Sequence, residues 1–268
     1  MKNLRTALVL LLIVMLVASL AMVGCKKKPK AGTLDAIMAA GKMVVGTSAD
    51  YPPFEFVDES GNFDGFDIAL IKEIGKRMGV QIEIKDMDFG ILIDALKQGQ
   101  IDAIIACMTA TEERDKEVDF TIPYDTSADA FLVKKGSGIV LEGPEDAQNY
   151  IIGYQTGTIH EEWVTENLLE TNKVAENRVM TYPRADLAIM DLVAGRIQVL
   201  ILDEAVASKY LATHNVEVVL NADLSGGDPA IAIMEGSKEL QAKLNEIIQQ
   251  LLDEGFMTQL SVEYKSGE

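Results

Sequence analysis

The chain has 268 residues, 48% of them apolar, and a formal charge of -18 from 42 acidic and 24 basic residues. So much apolar side chain excludes a disordered polymer and is enough to core one large domain or two small ones. The acidic balance excludes a partner held through a phosphate backbone, because nucleic-acid binders concentrate Lys and Arg on one face.

Residues 1–24 read as a secretory signal: Lys2 and Arg5, an apolar run from Ala7 to Val23, then Gly24 ahead of Cys25. An uncleaved membrane span is the competing reading, since the run is close to the roughly 18 residues that cross a bilayer. Cys25 favours the signal. A cysteine after small residues at the end of such a run resembles a bacterial lipobox, with Met22 where leucine is usual, and this implies cleavage before Cys25 and lipidation of its thiol. Cleavage takes two positive charges from a chain of net charge -18 and leaves -20. Residues 25–33 then form an anchored linker in which Lys26, Lys27, Lys28 and Lys30 face anionic headgroups, or are simply solvated. With Cys25 lipidated, Cys107 has no cysteine to pair with and no intrachain disulfide forms.

From Met43 onward, apolar runs alternate with helical periodicity: "MVVGTS", "FDIALIKEIGKRMG", "QIEIKDM", "ILIDALKQG", "IDAIIA". This βαβ rhythm predicts an α/β lobe. "MTATEERDKEVDFTIPY" follows and reads as a loop opening a short helix beside the sheet, where a helix start makes an anion site. The rhythm restarts after Gly143-Pro144 with "IIGYQ", "HEEWVTENLLE", "RVMTYP", "RADLAIMDLVAG", "QVLILD" and "EAVASKYLATH", which predicts a second lobe. A last strand, "AIAIME", and an amphipathic helix from Lys238 to Asp253 are too little for a third domain and are expected to return to the first lobe. The expected boundaries are 34–125 and 227–268 for lobe 1 and 126–226 for lobe 2. Two connections, near Asp125 and near Gly226, make a hinge.

Several chemistries are absent. His160 and His214 lie far apart and no His/Cys spacing matches a zinc or iron site, so neither metal nor cofactor is expected. No GxGxxG, P-loop or GxSxG motif occurs. Glu112-Glu113 and Glu161-Glu162 are adjacent, so on a helix they diverge by about 100° and read as solvated faces rather than a catalytic pair.

"VVGTSADYPPFEF", "GNFDGFDIAL", "MDFGILIDALKQGQIDAIIACMTATEERDKEVDFTIPY" and "GYQTGTIHEEW" resemble, in order and spacing, the extracytoplasmic solute-binding proteins for polar amino acids that feed ABC importers. The resemblance covers Leu34 to Tyr264. It implies a two-lobed fold of the type II periplasmic-binding-protein kind, with two hinge strands, a ligand cleft between lobes and closure on binding. It further implies a monomer without enzymatic activity, which hands an L-amino acid to a membrane permease.

Residue by residue, Arg114 matches the arginine that grips the ligand α-carboxylate, helped by Thr109; a planar fork that keeps its proton suits a carboxylate. Pairing of Arg114 with a nearby acid such as Glu117 is the structural alternative. Thr156, Gly157 and Thr158 are expected to meet the same carboxylate through backbone N–H groups and the Thr158 hydroxyl, unless Gly157 serves only a turn needing positive φ. Asp203 matches the acid that pairs with the α-ammonium, with a helix N-cap as its competing role. Ser48, Tyr51, Phe89, Cys107, Gln155 and Ile159 are expected to line the side-chain pocket, Tyr51 and Phe89 sandwiching the ligand stem. Cys107 stands where small residues are common in the family and reads as a buried small hydrophobe. Ser48 replaces an aspartate found in many relatives for basic or amide ligands. This lowers the rank of a cationic ligand unless Asp50, Glu55 or Glu161 substitutes, and with Gln155 it puts a polar uncharged amino acid first, a cationic one second and an acidic one third. Two other classes stay open: a cyclohexadienyl-dehydratase-like enzyme using His160 or Glu161 as proton donor, and a sensor acting through a membrane partner.

Overall fold

The computed structural model describes residues 32–126, 128–224 and 227–266. The signal segment, Cys25 and the four linker lysines lie outside the described residues, as does Gly226.

Thr33 caps α1 (Leu34–Ala40), and Gly41, at φ 66°, ends it. The chain then runs through β1 (Lys42–Thr47) into a small antiparallel sheet of β2 (Asp50–Tyr51), β3 (Glu55–Val57) and β4 (Phe63–Asp64), followed by α2 (Phe66–Met78), β5 (Gln81–Asp86), α3 (Leu92–Lys97), β6 (Ala103–Ile104) and β7 (Val118–Phe120). α2 buries Phe66, Leu70, Ile71, Ile74 and Met78, one face at helical spacing, and stops at Gly79 in the left-handed region.

The second lobe comprises β8 (Asp129–Lys134), β9 (Ile152–Gln155), α4 (Ile159–Val164), β10 (Val179–Tyr182), α5 (Ala185–Ala194), β11 (Val199–Asp203), α6 (Glu204–Thr213) and β12 (Val216–Ala222). The "HEEWVTENLLE" helix has the length its periodicity predicts, but α4 widens into a π turn at Thr165–Leu169. The chain returns through β13 (Ala232–Met234) to α7 (Lys238–Asp253) and α8 (Phe256–Leu260), which pack on α2. α7 buries Leu240, Leu244, Ile247, Ile248 and Leu251 against this lobe.

The two large sheets share one plan. Their orders are β5-β1-β6-β13-β7 and β10-β9-β11-β8-β12. In each, three parallel strands are followed by an antiparallel one, and that strand, β13 or β8, is the one arriving from the other lobe. The two arriving segments run side by side: Thr121 N–H donates to the Ile231 carbonyl at 3.0 Å, and Tyr124 N–H to the Pro229 carbonyl at 3.0 Å. Any rotation between lobes has to bend this paired ribbon.

Candidate functional site

In open parallel sheets, ligands sit beyond the carboxyl ends of the strands. Here β1 ends next to Ser48, β9 ends on Gln155 and β11 ends on Asp203, while the segment after β6 carries Cys107 and Thr109. These ends converge on a small cavity between the lobes, whose wall also includes Tyr51, Phe89, Arg114, Thr158 and Ile159. The ten residues matched to the family's ligand contacts therefore face one space, whereas Thr156 and Gly157, also expected at the carboxylate, do not line it. Glu55 and His160, named only for alternative roles, join the wall, and so does Ala106. Ala106 went unnoticed because its side chain carries no chemistry to notice.

Arg114 departs from expectation in its backbone. No α-helix follows the Thr-Glu-Glu-Arg run; Arg114–Lys116 form a single 3₁₀ turn, because β7 begins at Val118 and leaves no room for a second turn. An anion site here rests on the side chain, not on a helix end. The guanidinium donates from Nη1 to the Thr109 carbonyl at 2.6 Å and from Nη2 to the Gly157 carbonyl at 2.9 Å, so it reaches across the cleft. Its carbon lies 5.6 Å from the centre of the Phe89 ring, within cation–π range. Glu117 is not its partner; Lys97 takes that carboxylate at 2.5 Å. Burial lowers Arg114 to about 10, opposed by the charges of Glu162 and Asp203, so it keeps its proton at neutral pH.

Thr158 begins α4 as its N-cap, accepting from Glu161 N–H at 3.4 Å. The sequence Thr158-Ile159-His160-Glu161 has the spacing of a capping box, but the Glu161 carboxylate reaches one residue further back, to Gly157 N–H at 2.5 Å. The Thr158 hydroxyl donates to the Gln155 carbonyl at 2.7 Å. The Gly157 N–H and the Thr158 hydroxyl, two of the donors expected to meet an anion, are thus engaged within their own loop in this state. Gly157 has a φ of 80°, and a Cβ there would lie 2.7 Å from the Gly90 Cα on the opposite lobe. Positive φ and close approach both require glycine.

Asp203 stands at the N-cap of α6 but makes no capping hydrogen bond with its side chain. Its Oδ2 instead accepts from the Tyr51 hydroxyl at 2.5 Å, and its N–H donates back to that oxygen at 3.1 Å. Burial, then the Asp203 charge, pushes the Tyr51 phenol well up, so it acts as a donor. Tyr51 is an orienting group for Asp203 as well as a wall of the pocket.

Ser48 and Gln155 belong to a buried polar cluster joining the lobes. The Ser48 hydroxyl donates to Asp50 at 2.7 Å. Gln155 Nε2 lies 3.4 Å from Ser48 Oγ, 3.5 Å from Asp50 and 3.2 Å from the Pro183 carbonyl. Asp50 also accepts from Ala185 N–H, the first residue of α5, at 2.5 Å, and Arg184 donates to the Ala49 carbonyl at 3.2 Å. Asp50 is pulled toward lobe 2 and lies outside the cavity wall, whereas Glu55 lies in it.

Cys107 adopts a φ of 45°, a left-handed conformation that penalises side chains and favours glycine; that is a physical reason for small residues here. Burial, then the Asp203 charge, pushes its thiol well up. Its N–H donates to Asp67 at 2.7 Å. Next to it, the carboxylate oxygens of Glu55 have no hydrogen-bond donor. His160 is buried and contacts Asp129 through Nε2 at 2.8 Å. Among the described residues, no cluster of three or more His, Cys, Asp or Glu is arranged to hold a metal ion, and no helix is long and apolar enough to cross a membrane.

The sequence model of the bacterial extracellular solute-binding proteins, family 3, matches residues 43–267. This chain belongs to that family. The arginine-binding extracellular protein ArtP of Bacillus subtilis (strain 168) is 35% identical over 230 residues, 85% of this chain and 87% of ArtP. The L-cystine-binding protein TcyJ of Escherichia coli (strain K12) is 28% identical over 249 residues, 92% of this chain and 91% of TcyJ. The solved structure of an ancestral arginine-binding protein bound to arginine superposes with a TM-score of 0.78 at 36% identity, covering 84% of this chain and 99% of that one. The family 3 chain has the two-lobed type II architecture of these solute-binding proteins.

Proposed function

We propose that this family 3 protein is an extracytoplasmic receptor, lipid-anchored through Cys25, that captures an L-amino acid between its lobes and delivers it to an ABC transporter permease. One observation carries the reading: Arg114 and Asp203, a fixed cation and an acid from opposite lobes, line the same cavity. A zwitterion is complementary to that pair, its α-carboxylate toward Arg114 and Thr109 and its α-ammonium toward Asp203. Relatives named for arginine and cystine support an amino-acid ligand. Charge-assisted hydrogen bonds contribute roughly 1.5–3 kcal/mol each. A few of them, with stacking on Phe89, reach the roughly -8.2 kcal/mol of a micromolar receptor. Contacts from both lobes exist only when the cleft is closed, so ligand shifts the population toward the form a permease recognises. No covalent step is required.

The structure argues for a different ligand order from the sequence. Asp50 is occupied by Ser48 and Ala185, but Glu55 brings a buried carboxyl without a donor to the cavity wall. A side chain rich in donors satisfies it best. A cationic amino acid therefore ranks first, a polar uncharged one second and an acidic one third.

A thermal-shift screen of the purified protein, unfolded and refolded to strip bound ligand, against the twenty L-amino acids tests the reading. A rise in midpoint with one or a few of them is expected; no rise with any overturns it. The enzyme alternative has one observation in its favour, the buried His160–Asp129 contact beside the cavity. Turnover of a cyclohexadienyl carboxylate would establish it.

A further inference from the structure

Glu55 on β3 and Asp67 in the first turn of α2 are both completely buried. Neither takes part in an ion pair among the described residues, whose salt bridges all involve other acids. Asp67 Oδ2 is well served: it accepts from Cys107 N–H at 2.7 Å and from the Tyr124 hydroxyl at 2.8 Å. Its Oδ1 and both oxygens of Glu55 find no donor in any other group, and the two carboxyl groups lie within hydrogen-bonding reach of each other. Carboxylate oxygens buried without an outside donor are costly, because a buried anion without a partner takes up a proton rather than stay charged.

The surroundings make that outcome necessary. Glu55 feels Asp67, Asp50 and Asp203, all negative, and Asp67 feels Asp125. The neighbouring Cys107, Tyr51 and Tyr124 are neutral donors whose own ionisation is suppressed by burial. The ammonium of Lys265 comes near, 4.8 Å from the Phe54 ring centre and 4.6 Å from that of Phe66, but it is paired with Asp125. A single proton held between the two carboxyl groups supplies a donor to one orphaned oxygen and removes the like-charge repulsion. Glu55 is the member that lines the ligand cavity; Asp67 stands behind it and does not.

We propose that Glu55 and Asp67 form a proton–cation exchange site in the cavity wall: ligand-free, the two carboxyl groups share one proton, and a ligand with a guanidinium or ammonium side chain displaces it to solvent. The proposal rests on the amino-acid-receptor reading of the same cavity and adds how one site handles two ligand classes. With a cationic ligand, one positive charge enters as the proton leaves, so the wall keeps its net charge and the new cation satisfies the oxygens. A neutral polar ligand leaves the proton in place and meets a protonated acid that can donate or accept. Burial, then the Asp67 charge, pushes the Glu55 carboxyl well above the usual carboxylate range, which agrees with the geometry. Release of one proton makes the affinity for a cationic ligand climb up to about tenfold per pH unit while the pair is protonated, and leaves neutral ligands insensitive.

Isothermal titration calorimetry of the ligand-stripped protein with arginine, lysine and glutamine tests this, in buffers of different ionisation enthalpy and at several pH values. The expected result is release of close to one proton with a cationic ligand and none with glutamine. Glu55→Gln, its fold checked by circular dichroism and cooperative melting, is expected to bind the cationic ligand at least tenfold more weakly and to release no proton. If that variant does not fold, Asp67→Asn gives Glu55 a permanent amide donor and is likewise expected to abolish the release. Cationic binding without proton release in the wild type overturns the proposal and leaves the receptor reading standing, as does release that persists in both variants. Binding of glutamine but of neither cation also overturns the proposal alone. Binding of no amino acid at all overturns both.

Discussion

The Tyr51 hydroxyl stands 2.5 Å from Oδ2 of Asp203, joining lobes through residues 152 positions apart. Because the Asp203 N–H also donates to the phenol oxygen, Tyr51 fixes the acid's position from lobe 1 once the cleft is closed. Tyr51→Phe keeps the ring and its packing and deletes only this link. A hydrogen bond to a charged group contributes roughly 1.5–3 kcal/mol, so the ligand dissociation constant, measured by calorimetry, is expected to rise about ten- to a hundredfold with little change in melting temperature. An unchanged constant would show that Asp203 needs no orienting partner.

Arg114 holds two carbonyls on opposite lobes and is expected to hold the ligand carboxylate with its remaining donors. Arg114→Ala strands that carboxylate in a closed site, a loss of roughly 2–5 kcal/mol, and should abolish measurable binding of every amino acid. Arg114→Lys keeps the charge but loses the fork and should recover only part of the affinity. Micromolar binding by the alanine variant would remove Arg114 from the site.

The backbone plan was legible where one physical signal dominated. α7 spans the residues its amphipathic period predicts, and β11 ends on Asp203, where the apolar run meets an acid. The Thr-Glu-Glu-Arg run misled as to structure because helix-start residues outweighed the fact that only three residues separate Arg114 from β7. Side-chain direction was the other gap. In the run from Ser48 to Glu55 there are three polar candidates, and only the turn through β2 and β3 decides that Asp50 reaches toward α5 while Glu55 turns to the cavity. Pairing of Glu55 with Asp67 was invisible for the same reason, since nothing in two separate segments announces that their side chains meet.

Gly157 and Gly90 bring the backbones of the two lobes close together across the cleft. Gly157→Ala adds a Cβ at 2.7 Å from the Gly90 Cα and does so at a φ of 80°, so neither partner can yield by rotating a side chain. Closure is expected to be incomplete, with weaker binding of all ligands and a larger ligand-bound radius of gyration by small-angle X-ray scattering. A variant that compacts on ligand addition as the wild type does would show that the cleft does not close this far in solution.

Arg184 offers a cleaner test of closure because it does not line the cavity. It reaches from lobe 2 to the Ala49 carbonyl at 3.2 Å and to Asp86 at 3.4 Å. Partly exposed contacts of this kind contribute about 0.2–1 kcal/mol each. Arg184→Ala should therefore weaken cationic and neutral ligands by the same few-fold factor, mainly through faster dissociation. A change in the arginine-to-glutamine preference would mean that Arg184 acts on specificity instead.

The buried acids also set an unusual pH dependence for the ligand-free protein. Burial raises Asp50 to about 6, against the Ser48 hydroxyl and the Arg184 charge, and raises Asp67 to about 6, against the Cys107 N–H and the Tyr124 hydroxyl. Unfolded aspartates titrate near 3.9. Between roughly those limits the native state holds more protons than the unfolded chain, so stability falls as pH rises through the window; Glu55, pushed well up by burial and then by the Asp67 charge, acts in the same direction. Acids held low by a partner, such as Glu73 by Lys76 and Asp191 by Arg196, withdraw their support only below about pH 4. The melting temperature of the ligand-free protein is therefore expected to be higher at pH 5 than at pH 8, and Asp50→Asn or Glu55→Gln should flatten that slope. A melting temperature that climbs steadily from pH 5 to pH 8, or a slope untouched by either variant, would show that these carboxyl groups are charged in the folded chain.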